Sequence, residues 1–263
     1  MRELSIAQAV ENRHRIKCFA KRSRSFVRCC NYSDWDARNL YRTQPQILIS
    51  RMQLVIEPYL EQVNRLPKLG RQIIAQFDEE SVVVYQAYRA VIGNFAATHG
   101  YFGGEFKLDR MSWIKPNFLW MMYRSGWGTK EGQEVVLAIW IKRAAFDHIL
   151  AQAVHSKFEP EVYKSESEWS KAVKTSLVRL QWDPDRHSSG ARLERRAIQL
   201  GLRGSVLNAY ARDWIIKLED ISPFVQQQQQ NIKSNCAQLY IPCETVYPVV
   251  DGNTATRLGL STK

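Results

Sequence analysis

Two short apolar runs do most to limit what this chain can fold into. Residues 82–88 (VVVYQAY) and 134–142 (EVVLAIWIK) are crowded with β-branched and aromatic side chains. Runs of that length and composition read as buried strands. In the second, Val135, Leu137, Ile139 and Ile141 alternate with positions expected to be less buried. Each run leads into a helical pattern. The first helix is expected over residues 90–99, stopped by Gly100 at the position after its end, and the second over 144–154. Further strands are expected at 111–115, 178–182, 197–202 and 214–218, and helices at 117–125 and 205–213. The spacing is irregular, and no Gly-rich fingerprint follows the first strand, which disfavours a doubly wound dinucleotide fold. The expected class is α+β, with a mixed or split β-sheet and short helices.

The flanks read differently. Helix-like spacing covers 4–20 and 47–65, with Pro58 inside the second stretch and set to kink or shorten it. Residues 157–176 are polar and partly helical, and 183–195 (DPDRHSSGARLER) have the composition of a long loop. After Val225 comes QQQQQ, and 226–263 are expected to form a weakly ordered tail. The organisation expected is therefore a basic extension over 1–51, helical or disordered, a catalytic-type domain over 52–225, and the tail. Of the net charge of +11, residues 1–51 contribute +7, with 11 basic and 4 acidic side chains. Arg22 and Arg24 lie in that arm, where counterion release would favour RNA or DNA.

Several classes are excluded. No apolar run reaches the length of a membrane span, and the start lacks the apolar core of a signal peptide, so a cytoplasmic protein with no membrane partner is expected. The cysteines (Cys18, Cys29, Cys30, Cys236, Cys243) form no CxxC pair and suit neither a disulfide framework nor zinc. His148 and His155 have no third ligand at suitable spacing, so no metal is expected. Asp183 and Asp185 could pass for an acid/base pair, but a turn-forming DPD is the better reading.

Three segments set polar groups in apolar surroundings, as binding sites do. In the first, Gln86 interrupts a strand beside Tyr88 and Arg89. In the second, Lys115 precedes a helix whose free amides favour phosphate, and Trp120, Tyr123 and Arg124 share one face of that helix, where Arg124 could stack on Trp120. In the third, Gln199 interrupts a strand between Arg196 and Arg203. Gln86, Tyr123 and Gln199 are the catalytic candidates. Lys115, Trp120, Arg124, Tyr88 and Arg89 are the candidates for holding a cofactor, and Arg196 and Arg203, with Arg22 and Arg24, for holding nucleic acid.

At these segments the chain resembles a known family. VVVYQAYRAVIGNFAATHGYF, RMSWIKPNFLWMMYRSGWGTKEGQEVVLAIWIKRAAFDHIL, VRLQWDPDR, RRAIQLGLRG and WIIKLEDISPFV are similar to domain-of-unknown-function family 4291, over about residues 70–225. A weaker likeness is to ADP-ribosyltransferases, in the order strand, helix, Gly, then an aromatic-rich segment, then a polar-bearing strand after a loop. That likeness implies an ADP-ribosyltransferase-like fold, NAD as substrate and transfer of ADP-ribose to nucleic acid or another acceptor. Gln86, Tyr123 and Gln199 would take the three site roles. Gln86 departs from the usual His or Arg, and Gln199 from the usual carboxylate. The alternative is a non-catalytic nucleic-acid-binding module built on the basic arm and on exposed aromatics and arginines.

Overall fold

The computed structural model describes residues 53–234 and 236–261. The expectations for 1–51, Arg22 and Arg24 included, lie outside the described residues. In chain order the elements are β1 (Ile56–Pro58), α1 (Tyr59–Arg65), β2 (Ile74–Ala75), β3 (Ser81–Tyr88), α2 (Ala90–His99), β4 (Ser112–Ile114) and α3 (Phe118–Ser125). Then come β5 (Val135–Lys142), α4 (Arg143–Gln152), β6 (Ala153–His155), α5 (Glu166–Thr175), β7 (Val178–Arg186), β8 (Arg192–Leu202) and α6 (Gly204–Ala211). The last are β9 (Ile215–Asp220), α7 (Ser222–Ser234), β10 (Tyr240–Pro242), β11 (Thr245–Val246) and α8 (Gly252–Leu258). The class is α+β, with small sheets and short helices.

A three-stranded antiparallel sheet has the order β3-β5-β9, and a four-stranded sheet the order β4-β8-β7-β6, with β6 parallel to β7. The two meet where Tyr85 N–H donates to Lys115 O at 2.7 Å and Lys115 N–H returns to Tyr85 O at 3.2 Å. β3 and β5 separate two cores. Val82, Val84, Leu137, Ile139 and Ile141 face one, while Val83, Tyr85, Val136, Ala138 and Trp140 face the other. The alternation expected in β5 is therefore absent: its residues 135–141 are all buried, because both faces of the sheet are covered. The end of α2 is as expected, with Gly100 in the left-handed region at φ 75°.

Three expectations are corrected. In 47–65 only Tyr59–Arg65 is helical among the described residues, shortened at Pro58 as expected. Pro58 supplies no N–H and stands at the helix start, and Ile56–Pro58 instead pairs with Tyr240–Pro242.

The long loop at 183–195 is a hairpin. β7 runs through Asp183-Pro184-Asp185 and β8 begins at Arg192. Asp-Pro chemistry is overridden because the segment pairs with β8, Asp183 opposite Ala197 and Pro184 opposite Arg196, and β6 covers β7 only at 178–180. Pro184 thus sits on an open strand edge, next to a register shift between Pro184 and Arg186, where its missing N–H leaves no gap in a ladder.

The weakly ordered tail is replaced by packed elements. The glutamine tract lies within α7, where Gln is a good helix former, and Gln228 is buried, its side-chain oxygen accepting from Tyr240 N–H at 2.9 Å. Leu239, Ile241, Tyr247 and Leu258 are each at most 2% exposed, completing cores that the preceding elements leave open.

Candidate functional site

The site is an open cleft of about 680 Å³ where the two sheets meet. Strand alternation builds one wall. On the β7–β8 hairpin Val178, Leu180, Ile198, Leu200 and Leu202 enter the core, so Gln181, Asp183 and Gln199 take the opposite face and line the cleft. The indole of Trp113 lies over Gly201, its partner across β4 and β8. A Cβ at Gly201 would come within 3.0 Å of that ring and 2.7 Å of Met111 Sδ, so a larger residue there would have to push both side chains aside. Lys115, Trp120 and Arg124 approach from the β4–α3 segment, Gln86 and Tyr88 from β3, and Arg110 from the loop before β4.

Lys115 is the unusual member. It is 5% exposed, and among the described residues its ammonium has neither an ion-pair partner nor a hydrogen bond. Burial draws it down to about 8, aided by Arg124 and opposed by Asp183. A buried cation without a partner is costly, so a group of this kind asks for an anion. Asp183 is the carboxylate lining the cleft. Gln199 Nε2 donates to its Oδ2 at 2.6 Å and Gln181 Nε2 to its Oδ1 at 2.9 Å.

Gln86 is fully engaged. Its Nε2 meets Tyr88 Oη and Ser112 Oγ, each at 2.8 Å, and its Oε1 accepts from Tyr210 Oη at 2.7 Å. It is a satisfied strand glutamine, and burial raises the Tyr88 phenol above its ordinary range.

The free helix N-terminus expected after Lys115 is filled. Asn117 caps α3 by accepting from Trp120 N–H at 2.8 Å, and the Glu244 carboxyl accepts from Phe118 N–H at 2.6 Å. Burial raises Glu244 well above the usual carboxylate range, while that same N–H pulls it back. No ligand phosphate can take this seat while Glu244 holds it.

The other candidates scatter. Tyr123 stacks on Trp120 with ring centroids 5.5 Å apart, as the shared face implied, yet it does not line the cleft. It borders a separate hollow with Trp127 and His187. The guanidinium on this aromatic pair is that of Arg186, 3.6 Å from the Tyr123 centroid, in place of Arg124. Arg89 pairs with Glu105 at a neighbouring hollow. Arg203 donates to the carbonyls of Ser176 and Lys174 and so serves the end of α5. Arg196 is exposed, with its backbone N–H bonded to Gly70 O at 2.8 Å.

Sequence reasoning set Asp183 aside as a turn former and missed Gln181, Arg110 and Glu244. The period-2 placement of Gln181, Asp183 and Gln199 was the available signal for the first two. Among the described residues, no cluster of three or more His, Cys, Asp or Glu could hold a metal, and no helix is long and apolar enough to cross a membrane.

Fold and site together define an α+β protein whose separated sheets leave a polar cleft rich in cations. The model of the family described as "Domain of unknown function (DUF4291)" matches residues 72–247, and the chain belongs to that family. The match spans the cleft residues and reaches Glu244. A search of curated proteins found no match.

Proposed function

We propose that the cleft binds NAD as a substrate and that the protein transfers ADP-ribose from it to an acceptor. The observation that carries this reading is Lys115, a side chain only 5% exposed that lines the cleft and has no ion-pair partner among the described residues. The pyrophosphate of a dinucleotide would supply the missing anion, with Arg124 and Arg110 on the same cleft to share it. A volume of about 680 Å³ suits a ligand of that size. Trp113, half-buried on the cleft wall, offers a flat apolar surface to its rings. The α+β class with separated sheets agrees with what the resemblance to ADP-ribosyltransferases implies.

Nucleic acid, RNA or DNA, is the acceptor we favour. The cleft runs on into a second hollow of about 290 Å³ through the shared residues Tyr88, Arg110, Met111 and Ser112. Lys107 and Arg110 line that continuation, beside Arg89 in its pair with Glu105, and cations placed there suit a phosphate backbone.

Calorimetric titration of the full chain with NAD tests the reading. Saturable binding is expected, weakened about tenfold or more in Lys115→Met, since a charge-assisted contact is worth at least about 1.4 kcal/mol. Failure to bind millimolar NAD, or an unchanged affinity in the variant, overturns it. Salt-steep oligonucleotide binding without NAD binding would leave the non-catalytic nucleic-acid module in its place.

A further inference from the structure

Resting on that reading, we infer that Asp183 is the catalytic carboxylate of the cleft, and that the acceptor it serves is a neutral O–H or N–H group. The argument is geometric. Gln181 and Gln199 stand directly opposite each other across β7 and β8. Asp183 follows Gln181 by two residues and shares its face. Each carboxylate oxygen receives one amide N–H, from Gln199 at 2.6 Å and from Gln181 at 2.9 Å. Two of the roughly four acceptor positions of a carboxylate are thus used, and the others remain for a ligand. No cation forms an ion pair with Asp183 among the described residues, although Lys115 lies near enough to feel its charge.

Asp185, two residues on, is the internal contrast. It is 1% exposed, and its oxygens are taken by Arg195 Nε at 2.8 Å and by Arg186 N–H at 2.7 Å. The register shift between Pro184 and Arg186 parts the two acids. Irregularities of this kind re-aim side chains beside active sites. One acid of the DPD sequence is spent on structure, and the other is held open towards the cleft.

The step balances. The acceptor gives its proton to Asp183 as its heavy atom bonds to C1′ of the nicotinamide ribose. The C1′–N bond breaks, and its electron pair leaves on the ring nitrogen, cancelling the positive charge of the pyridinium. Asp183 then releases the proton to solvent. A fixed carboxylate would also stabilise positive charge growing on the sugar. Gln199, expected to act directly, becomes a positioning residue together with Gln181.

Water is itself a neutral O–H acceptor, so nicotinamide release from NAD by the full chain needs no identified partner. Asp183→Asn is expected to bind NAD within about threefold of wild type while releasing nicotinamide at least about 100-fold more slowly, the scale of general base catalysis. Asp183→Ala should recover part of the loss when formate is added, and Asp183→Asn should not. Gln199→Leu should lower kcat with KM unchanged and gain nothing from formate. Release by Asp183→Asn within about tenfold of wild type would overturn the role of Asp183 and leave NAD binding standing. A wild-type chain that neither binds NAD nor releases nicotinamide overturns both.

Discussion

The three-stranded and four-stranded sheets draw on similar apolar residues and use them differently. β3 and β5 bury both faces, so every position from Val135 to Ile141 is closed to solvent. β7 and β8 bury one face against the core and leave the other open over the cleft. Their other face carries Gln181, Asp183 and Gln199 into the cleft, and buries the Arg195–Asp185 ion pair further along the hairpin. The first sheet is a partition between two cores, whose tolerance is set by packing. The second is a platform, whose polar side chains are positioned by the packing beneath them. Chemistry gathers where a sheet keeps an uncovered face beside a rigid neighbour.

The largest effect expected from this contrast is in the partition. Trp140 is fully buried, and Trp140→Ala should cost about 3–5 kcal/mol in urea unfolding. A loss below about 1 kcal/mol would show that β5 does not divide two packed cores.

Next comes the buried cation. Lys115→Met should stabilise the fold by about 1–2 kcal/mol at neutral pH, by removing an unpaired charge, while weakening NAD binding. The ordinary lysine value is 10.5 and the folded one about 8. Between them the unfolded chain holds more protons, so wild-type stability should rise as pH climbs through that window. The variant should lack the rise. NAD affinity of the wild type should fall above about pH 8, as the ammonium is lost. A variant less stable than wild type at neutral pH would mean that Lys115 is paired in solution.

Glu244 joins the tail to the start of α3. Its folded value is raised above 4.5, so the folded chain holds the extra proton, and wild-type stability should decline as pH rises from there. Glu244→Gln should flatten that decline between mildly acid and neutral pH. Parallel slopes for the two proteins would show that Glu244 ionises freely.

The smallest effect belongs to the platform. Gln199→Leu should change stability by less than about 1 kcal/mol, since Asp183 keeps its bond to Gln181. A larger loss would make the cleft face part of the core.

Local signals carried the elements well where local forces govern. The β-branched run at 82–88, the helix stopped by Gly100 and the helix expected over 205–213 were legible because propensity and burial agree there. The period-2 pattern also put Gln86 and Gln199 among apolar neighbours, but it could not say which amide was already satisfied. Gln86 is closed by Tyr210, a residue 124 positions away, and Gln199 by Asp183 across a hairpin that the sequence presents as a loop.

What the amino-acid order determined by itself was the α+β class, the main strands and helices, and the polar interruptions that mark a site. The tertiary structure decided which of those interruptions share a cleft. It put Glu244 on the helix end that looked free for phosphate, set Arg186 on the aromatic pair in place of Arg124, and turned DPD into one structural and one open carboxylate. The physical reason is that a polar group's role depends on its partners. Those partners come from strands and tail segments brought together by burial of the apolar faces, over separations that no local pattern records.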